Sequence, residues 1–152
     1  MRKNKNQGFT LIELMIVITI ITIIVVIAYP NYQNYVKRTK RVEVQSYLME
    51  ISHKLASYKL VNRSYTGASM AVIGGNTAFP NSTNQTYIIT LKDDSGIVLG
   101  SSGENGTTWT LAAIPINWQS GDGAITLTHT GQQCWYKNKD DATGGCLTWS
   151  ER

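Results

Sequence analysis

Side chains able to do acid–base, nucleophilic or metal chemistry are few in this 152-residue chain, and they do not gather into a motif. His53 and His129 fall in separate segments, with no serine motif or cysteine nucleophile beside either. Asp93-Asp94 and Asp140-Asp141, with Ser, Thr and Gly nearby, suggest calcium by composition but lack the regular ligand spacing of an oxygen-donor loop. Cys134 and Cys146 bracket 11 residues. They read either as a disulfide, closing a loop for roughly 3 kcal/mol on the chain-entropy model, or as two free thiols. A zinc site would need more ligands than the chain spaces suitably. Gly74-Gly75 and Gly144-Gly145 follow no strand-to-helix phosphate pattern and read as turns. The expectation is therefore no enzyme, no metal and no cofactor.

One carboxylate implies chemistry of a different kind. Glu13 lies inside an otherwise apolar run from Phe9 to Tyr29, 21 residues long. As a helix rising about 1.5 Å per residue this run reaches ~32 Å, the depth of a bilayer's hydrocarbon core. An acid at the centre of such a span costs roughly 2.5 to 3.5 kcal/mol, so a positive partner is expected. The residues ahead of it supply one. Met1 to Gly8 is a short polar leader carrying Arg2, Lys3 and Lys5. Cleavage after Gly8 would leave a free α-amine on Phe9, four positions before Glu13. The amine of one copy and the Glu13 of another would then neutralise each other, a device for head-to-tail assembly.

The stretch Gly8-Phe9-Thr10-Leu11-Ile12-Glu13-Leu14, with its basic leader and the apolar run up to Pro30, closely resembles the class III leader and N-terminal segment of type IV pilins. The resemblance covers about the first 30 residues. It implies cleavage between Gly8 and Phe9 by a membrane aspartic prepilin peptidase, N-methylation of Phe9, and filament assembly through Phe9, Glu13 and Pro30. Val26-Ile27-Ala28 is a passable site for an ordinary secretory signal, but Tyr29-Pro30 follows it and Glu13 sits near the start of its apolar region. A plain single-span anchor gives Gly8 and Glu13 no role. Where pilins often carry a helix-breaking glycine and small alanines, this chain has Thr22, Val25 and Val26; Thr19 and Thr22 can instead bond back to carbonyls and bend the helix.

Charge is unevenly placed. Residues 29–63 hold seven basic and two acidic side chains, whereas residues 64–152 hold four basic and seven acidic ones. A head of that sign is not a general polyanion binder. Lys37, Arg38, Lys40 and Arg41 after the span nearly balance the three leader cations, so charge does not fix orientation. The leader resemblance implies a cytoplasmic N-terminus and a periplasmic head, and two cysteines suit the oxidising side.

Pro30 removes one helical hydrogen bond, so a kink or a locally loosened turn is expected there. Beyond it Val44, Leu48, Ile51, Leu55 and Tyr58 are spaced 4, 3, 4 and 3, one face of an amphipathic helix. The reading is one long kinked helix: residues 9–29 as transmembrane and filament core, and 30–61 as the amphipathic half. Residues 62–85, rich in Gly, Ser, Asn and Thr, read as a long αβ loop. Within 86–152, Thr86 to Leu91, Thr107 to Ile116 and Ala124 to Thr130 alternate as strands, with turns at Lys92 to Gly96, Gly100 to Gly106 and Gly121 to Gly123. An antiparallel sheet with one apolar face needs a cover, and the helix stripe provides it. The fold class is α+β, the helix packed on an antiparallel sheet; the pilin resemblance makes Cys134 to Cys146 its disulfide-bounded C-terminal loop.

In that loop Trp135, Tyr136, Lys137 and Lys139 are the possible ligand contacts, because rings beside cations can stack on bases and touch phosphates. The favoured reading packs Trp135 beneath the loop and leaves the lysines solvated beside Asp140 and Asp141. The resemblance implies a structural subunit of a type IV pilus, and the Tyr- and Trp-containing sheet with its isolated terminal loop is more like a minor pilin than an abundant one. Its partners would be other pilin subunits, the prepilin peptidase, the inner-membrane assembly platform and, before assembly, membrane lipid. Alternatives are a DNA-receptor pilin of the competence apparatus, with DNA the less favoured partner, and a type II secretion pseudopilin. Implied roles of the fibre are twitching motility, adhesion or DNA uptake, from the inner membrane to an extracellular filament.

Overall fold

The computed structural model describes residues 9–150, which fall into two compact units divided between Arg38 and Thr39. Gly8 and the leader lie outside the described residues. Helix α1 spans Leu11–Asn62 and runs through Pro30 without a break. Its start is closed by a reciprocal cap: Thr10 Oγ1 accepts from the Glu13 N–H at 3.3 Å, and Glu13 Oε2 accepts from the Thr10 N–H at 3.5 Å. Thr19 and Thr22 both donate to carbonyls one turn back, those of Met15 and Ile18, at 2.7 Å. Pro30 leaves the Val26 carbonyl without its helical donor, and the Asn31 side-chain amide donates to the next carbonyl, Ile27, at 3.3 Å. The apolar part of α1 is long and hydrophobic enough to cross a membrane, and none of it is buried within the chain.

In the second unit Val44, Leu48, Ile51 and Leu55 are fully buried, on the face that the 4, 3, 4 spacing predicts. They cover a five-stranded antiparallel meander in the order β1 Ala78–Phe79, β2 Tyr87–Lys92, β3 Thr110–Pro115, β4 Ile125–Thr128 and β5 Gln133–Trp135. Register aligns the core in rows across the sheet. Ile89 faces Ala113, which faces Ile125, which faces Trp135; Leu91, Leu111 and Leu127 form the next row. Each large side chain buried there contributes about 1.5 to 3 kcal/mol over leaving it in water. The architecture is the α+β fold read from the sequence, closed by a Cys134–Cys146 disulfide.

Strand limits differ from the alternation for local reasons. The Thr107 N–H and hydroxyl both bond Asn105 Oδ1, a side-chain turn that delays β3 to Thr110. The Gly131 N–H returns to the Thr128 carbonyl, ending β4 before His129. The edge strands β1 and β5, of two and three residues, are too short to show a period.

Loops are fastened by carboxylates that accept main-chain N–H groups. Asp93 takes those of Ile97 (2.8 Å) and Asn105 (2.7 Å), Glu104 those of Gly67 (2.7 Å) and Gly100 (2.6 Å), and Asp140 those of Gly121 (2.8 Å) and Gly123 (3.0 Å). Of the acid pairs that suggested calcium, Asp93 and Asp140 thus accept from main-chain N–H groups, Asp94 from the Asn105 side-chain amide, and Asp141 from the Thr143 N–H and hydroxyl. Among the described residues no three His, Cys, Asp or Glu side chains gather around a metal-sized space.

The Asn105 N–H foremost, with those of Ile97, Ser95 and Gly96, holds the Asp93 carboxyl below the usual carboxylate range against partial desolvation. A folded value below the unfolded one, about 3.9, stabilises the head at higher pH, and this is lost as pH falls through the folded value. Thermal unfolding followed by circular dichroism should show wild type losing stability from about pH 5 downward. Asp93→Asn should begin less stable at pH 7 and lose less on acidification.

Candidate functional site

Two regions carry the residues singled out from the sequence. In the first, Phe9 is exposed and the Glu13 carboxylate reaches the Thr10 N–H of its own chain. The acid therefore caps the helix start. Pro30 sits inside α1 in the same unit, and Gly8 is outside the described residues.

The second region surrounds the disulfide. Cys134 is buried on β5 and Cys146 is exposed. Beyond Cys146 the chain returns along β5, where Trp135 and Leu147 exchange both main-chain hydrogen bonds, at 2.7 and 3.1 Å. The Trp149 indole N–H donates to the Cys134 carbonyl at 3.1 Å.

Trp135 is only 3% exposed. Its indole N–H donates to the Asp122 carbonyl at 2.9 Å, the Arg41 guanidinium lies 3.7 Å from the ring centroid, and the Lys137 ammonium lies 5.6 Å away. It packs beneath the loop, so the ring has no face left for a base. Tyr136 is half-buried, and Lys137 and Lys139 are exposed. Residues 136–139 form a tight turn, with the Lys139 N–H on the Tyr136 carbonyl and Asn138 in the left-handed region at φ 60°. That turn lies directly on Gly123, where a Cβ would come within 2.1 Å of the Tyr136 carbonyl oxygen and φ is +100°, so only glycine fits.

Beneath the turn is a buried polar cluster that sequence reasoning missed. Arg41 pairs with Asp122 through two hydrogen bonds, the Nε–Oδ2 one at 2.9 Å and the other from Nη2 to Oδ1. Asp122 Oδ2 also accepts from the Tyr87 hydroxyl and the Gln119 amide, each at 3.0 Å, and Gln119 donates to the Tyr87 oxygen at 2.9 Å. Burial first, then the Asp122 charge, push the Tyr87 hydroxyl far above its ordinary value, so it stays a donor. The partner of Arg41 is 81 residues away, and no spacing rule reaches that far.

The cluster gathers three loops at one end of the sheet. Asp140 holds Gly121 and Gly123, and the Ala124 N–H donates to the Lys139 carbonyl at 2.8 Å. Asn117 Nδ2 donates to the Gln85 carbonyl at 2.8 Å, and the Ile116 N–H to that of Thr86 at 2.9 Å. No nucleophile with an adjacent base stands among them. A fixed surface with exposed lysines is suited to binding.

Residues 30–134 match the family described as the type IV minor pilin ComP, DNA uptake sequence receptor, and residues 3–29 match the prokaryotic N-terminal methylation motif. No curated protein matches the chain.

Removing one member of a buried ion pair strands the other charge, at a cost of about 3 to 5 kcal/mol. Arg41→Ala should lower the urea unfolding free energy by that order, and adding Asp122→Ala to it should recover part of the loss. Equal, additive losses would mean that the two side chains act independently.

Proposed function

The chain belongs to the ComP family of type IV minor pilins, and from that premise we propose that it is the subunit through which its pilus takes hold of DNA. The observation that carries this reading is the match over residues 30–134, which takes in α1 beyond the apolar run and the sheet as far as Cys134. The exposed Lys137 and Lys139, just past the matched stretch, supply phosphate contacts. Among the other head cations, Lys40 pairs with Glu43, Lys54 with Glu50 and Arg41 with Asp122. With a net acidic sheet region, the ionic share of binding is small, which suits a receptor of limited affinity for bulk polyanion.

Family membership also implies a prepilin peptidase and other pilin subunits as partners. In our reading the peptidase cuts between Gly8 and Phe9, the new Phe9 amine is methylated, and the subunit waits in the inner membrane with its N-terminus cytoplasmic. The assembly platform then moves it into the filament. There Glu13 exchanges its bond to Thr10 for the Phe9 amine of a neighbour. Cys134 and Cys146 keep the head closed outside the cell.

Binding of labelled DNA by the full processed chain in detergent, measured across a salt series, tests the receptor role. Wild type should bind with a shallow salt dependence, and Lys137→Glu and Lys139→Glu should each reduce the slope by about one. No binding by wild type at low salt overturns the reading. For assembly, Glu13→Ala should be processed normally yet be depleted from sheared filaments, as read by mass spectrometry; wild-type incorporation would remove the role given to Glu13.

A further inference from the structure

The loop cluster presents one aromatic side chain that is exposed while the others near it are covered. Trp109 and Trp135 are buried and Trp149 is half-buried, but Trp118 is 48% exposed. It stands on a short 3-10 turn, Asn117–Gln119, that is fixed on both sides. Before it, Asn117 adopts φ 55° and bonds the Gln85 carbonyl; after it, Gln119 is fully buried and bonds Tyr87 and Asp122. The turn is therefore anchored while the indole is left in water, at a cost in apolar exposure.

Trp118 is also stitched to the lysine turn. Gly121, three residues on and so at most roughly 11 Å along the chain, donates to Asp140, and Lys139 bonds Ala124. Asp140 has both oxygens on glycine N–H groups, and Asp122 is sealed beneath Arg41. Two lysines alone give a weak, unselective grip on phosphates. An aromatic face supplies what is missing, since stacking on a base does not depend on net charge. The indole lies within residues 30–134, the part of the chain that matches the receptor family.

We propose that Trp118 is the base-contacting side chain of the DNA site, its indole stacking on a base while Lys137 and Lys139 hold flanking phosphates. This inference rests on the receptor reading above. The test compares the full chain with Trp118→Ala and Trp118→Phe, using duplex and single-stranded DNA of one sequence. Trp118→Ala should bind about tenfold more weakly at every salt concentration with the slope unchanged, and Trp118→Phe should keep most of the affinity. DNA should quench the tryptophan emission of wild type and leave that of Trp118→Ala unaltered. The preferred form of DNA identifies whether the base is reached in a duplex or a single strand. Wild-type binding with Trp118→Ala within about twofold of it overturns the role of Trp118 and leaves the receptor reading standing. Failure of wild type to bind either form overturns both.

Discussion

Burial of the Asp122 carboxylate against the Arg41 guanidinium is the constraint on which the loop end of the head depends. A carboxylate 5% exposed cannot remain charged in an apolar surround without a cation and donors on its lone pairs. Arg41 from α1, Tyr87 from β2 and Gln119 from the β3–β4 connection converge on it for that reason. Such a pair adds little net stability compared with an apolar replacement, because desolvation offsets most of the attraction. Its contribution is positional: three segments distant in sequence, α1, β2 and the β3–β4 connection, are brought to one carboxylate.

The same logic explains why acids dominate the loops. Asp93, Glu104 and Asp140 each bind two main-chain N–H groups that no strand partner satisfies. An ionised acceptor makes a stronger bond than a neutral one, so a long, glycine-rich connection can be rigid without a core of its own. The acidic balance of residues 64–152 is in this light largely internal architecture, and less of it is a repelling surface than a charge count suggests.

Much of this was legible from residue order alone because the helix and the long strands obey periods. The Val44, Leu48, Ile51, Leu55 stripe and the Tyr87, Ile89, Leu91 alternation are local signals, and burial follows them. The favoured packing of Trp135 beneath its loop also corresponds to where the ring lies. What was illegible is what depends on distant pairing. Arg41 reads only as one of the cations that follow the span until Asp122 is folded against it. Trp118, in Ile116-Asn117-Trp118-Gln119-Ser120, belongs to no period, and only the anchoring of its neighbours sets it apart. Ala78–Phe79 and Gln133–Trp135 become strands through their partners, β2 and β4, and not through their own propensities.

The return of the chain along β5 has a consequence for crowding. Leu147 occupies the outer side of Trp135 and the disulfide fixes it there, while at the other margin Leu99 bonds the Leu91 carbonyl and Val98 bridges Lys92 where β1 has ended. Main-chain groups of β5 at Trp135 and of β2 beyond β1 are thereby paired within the head. A sheet margin whose main-chain groups are already paired is a poor template for strand addition by another chain.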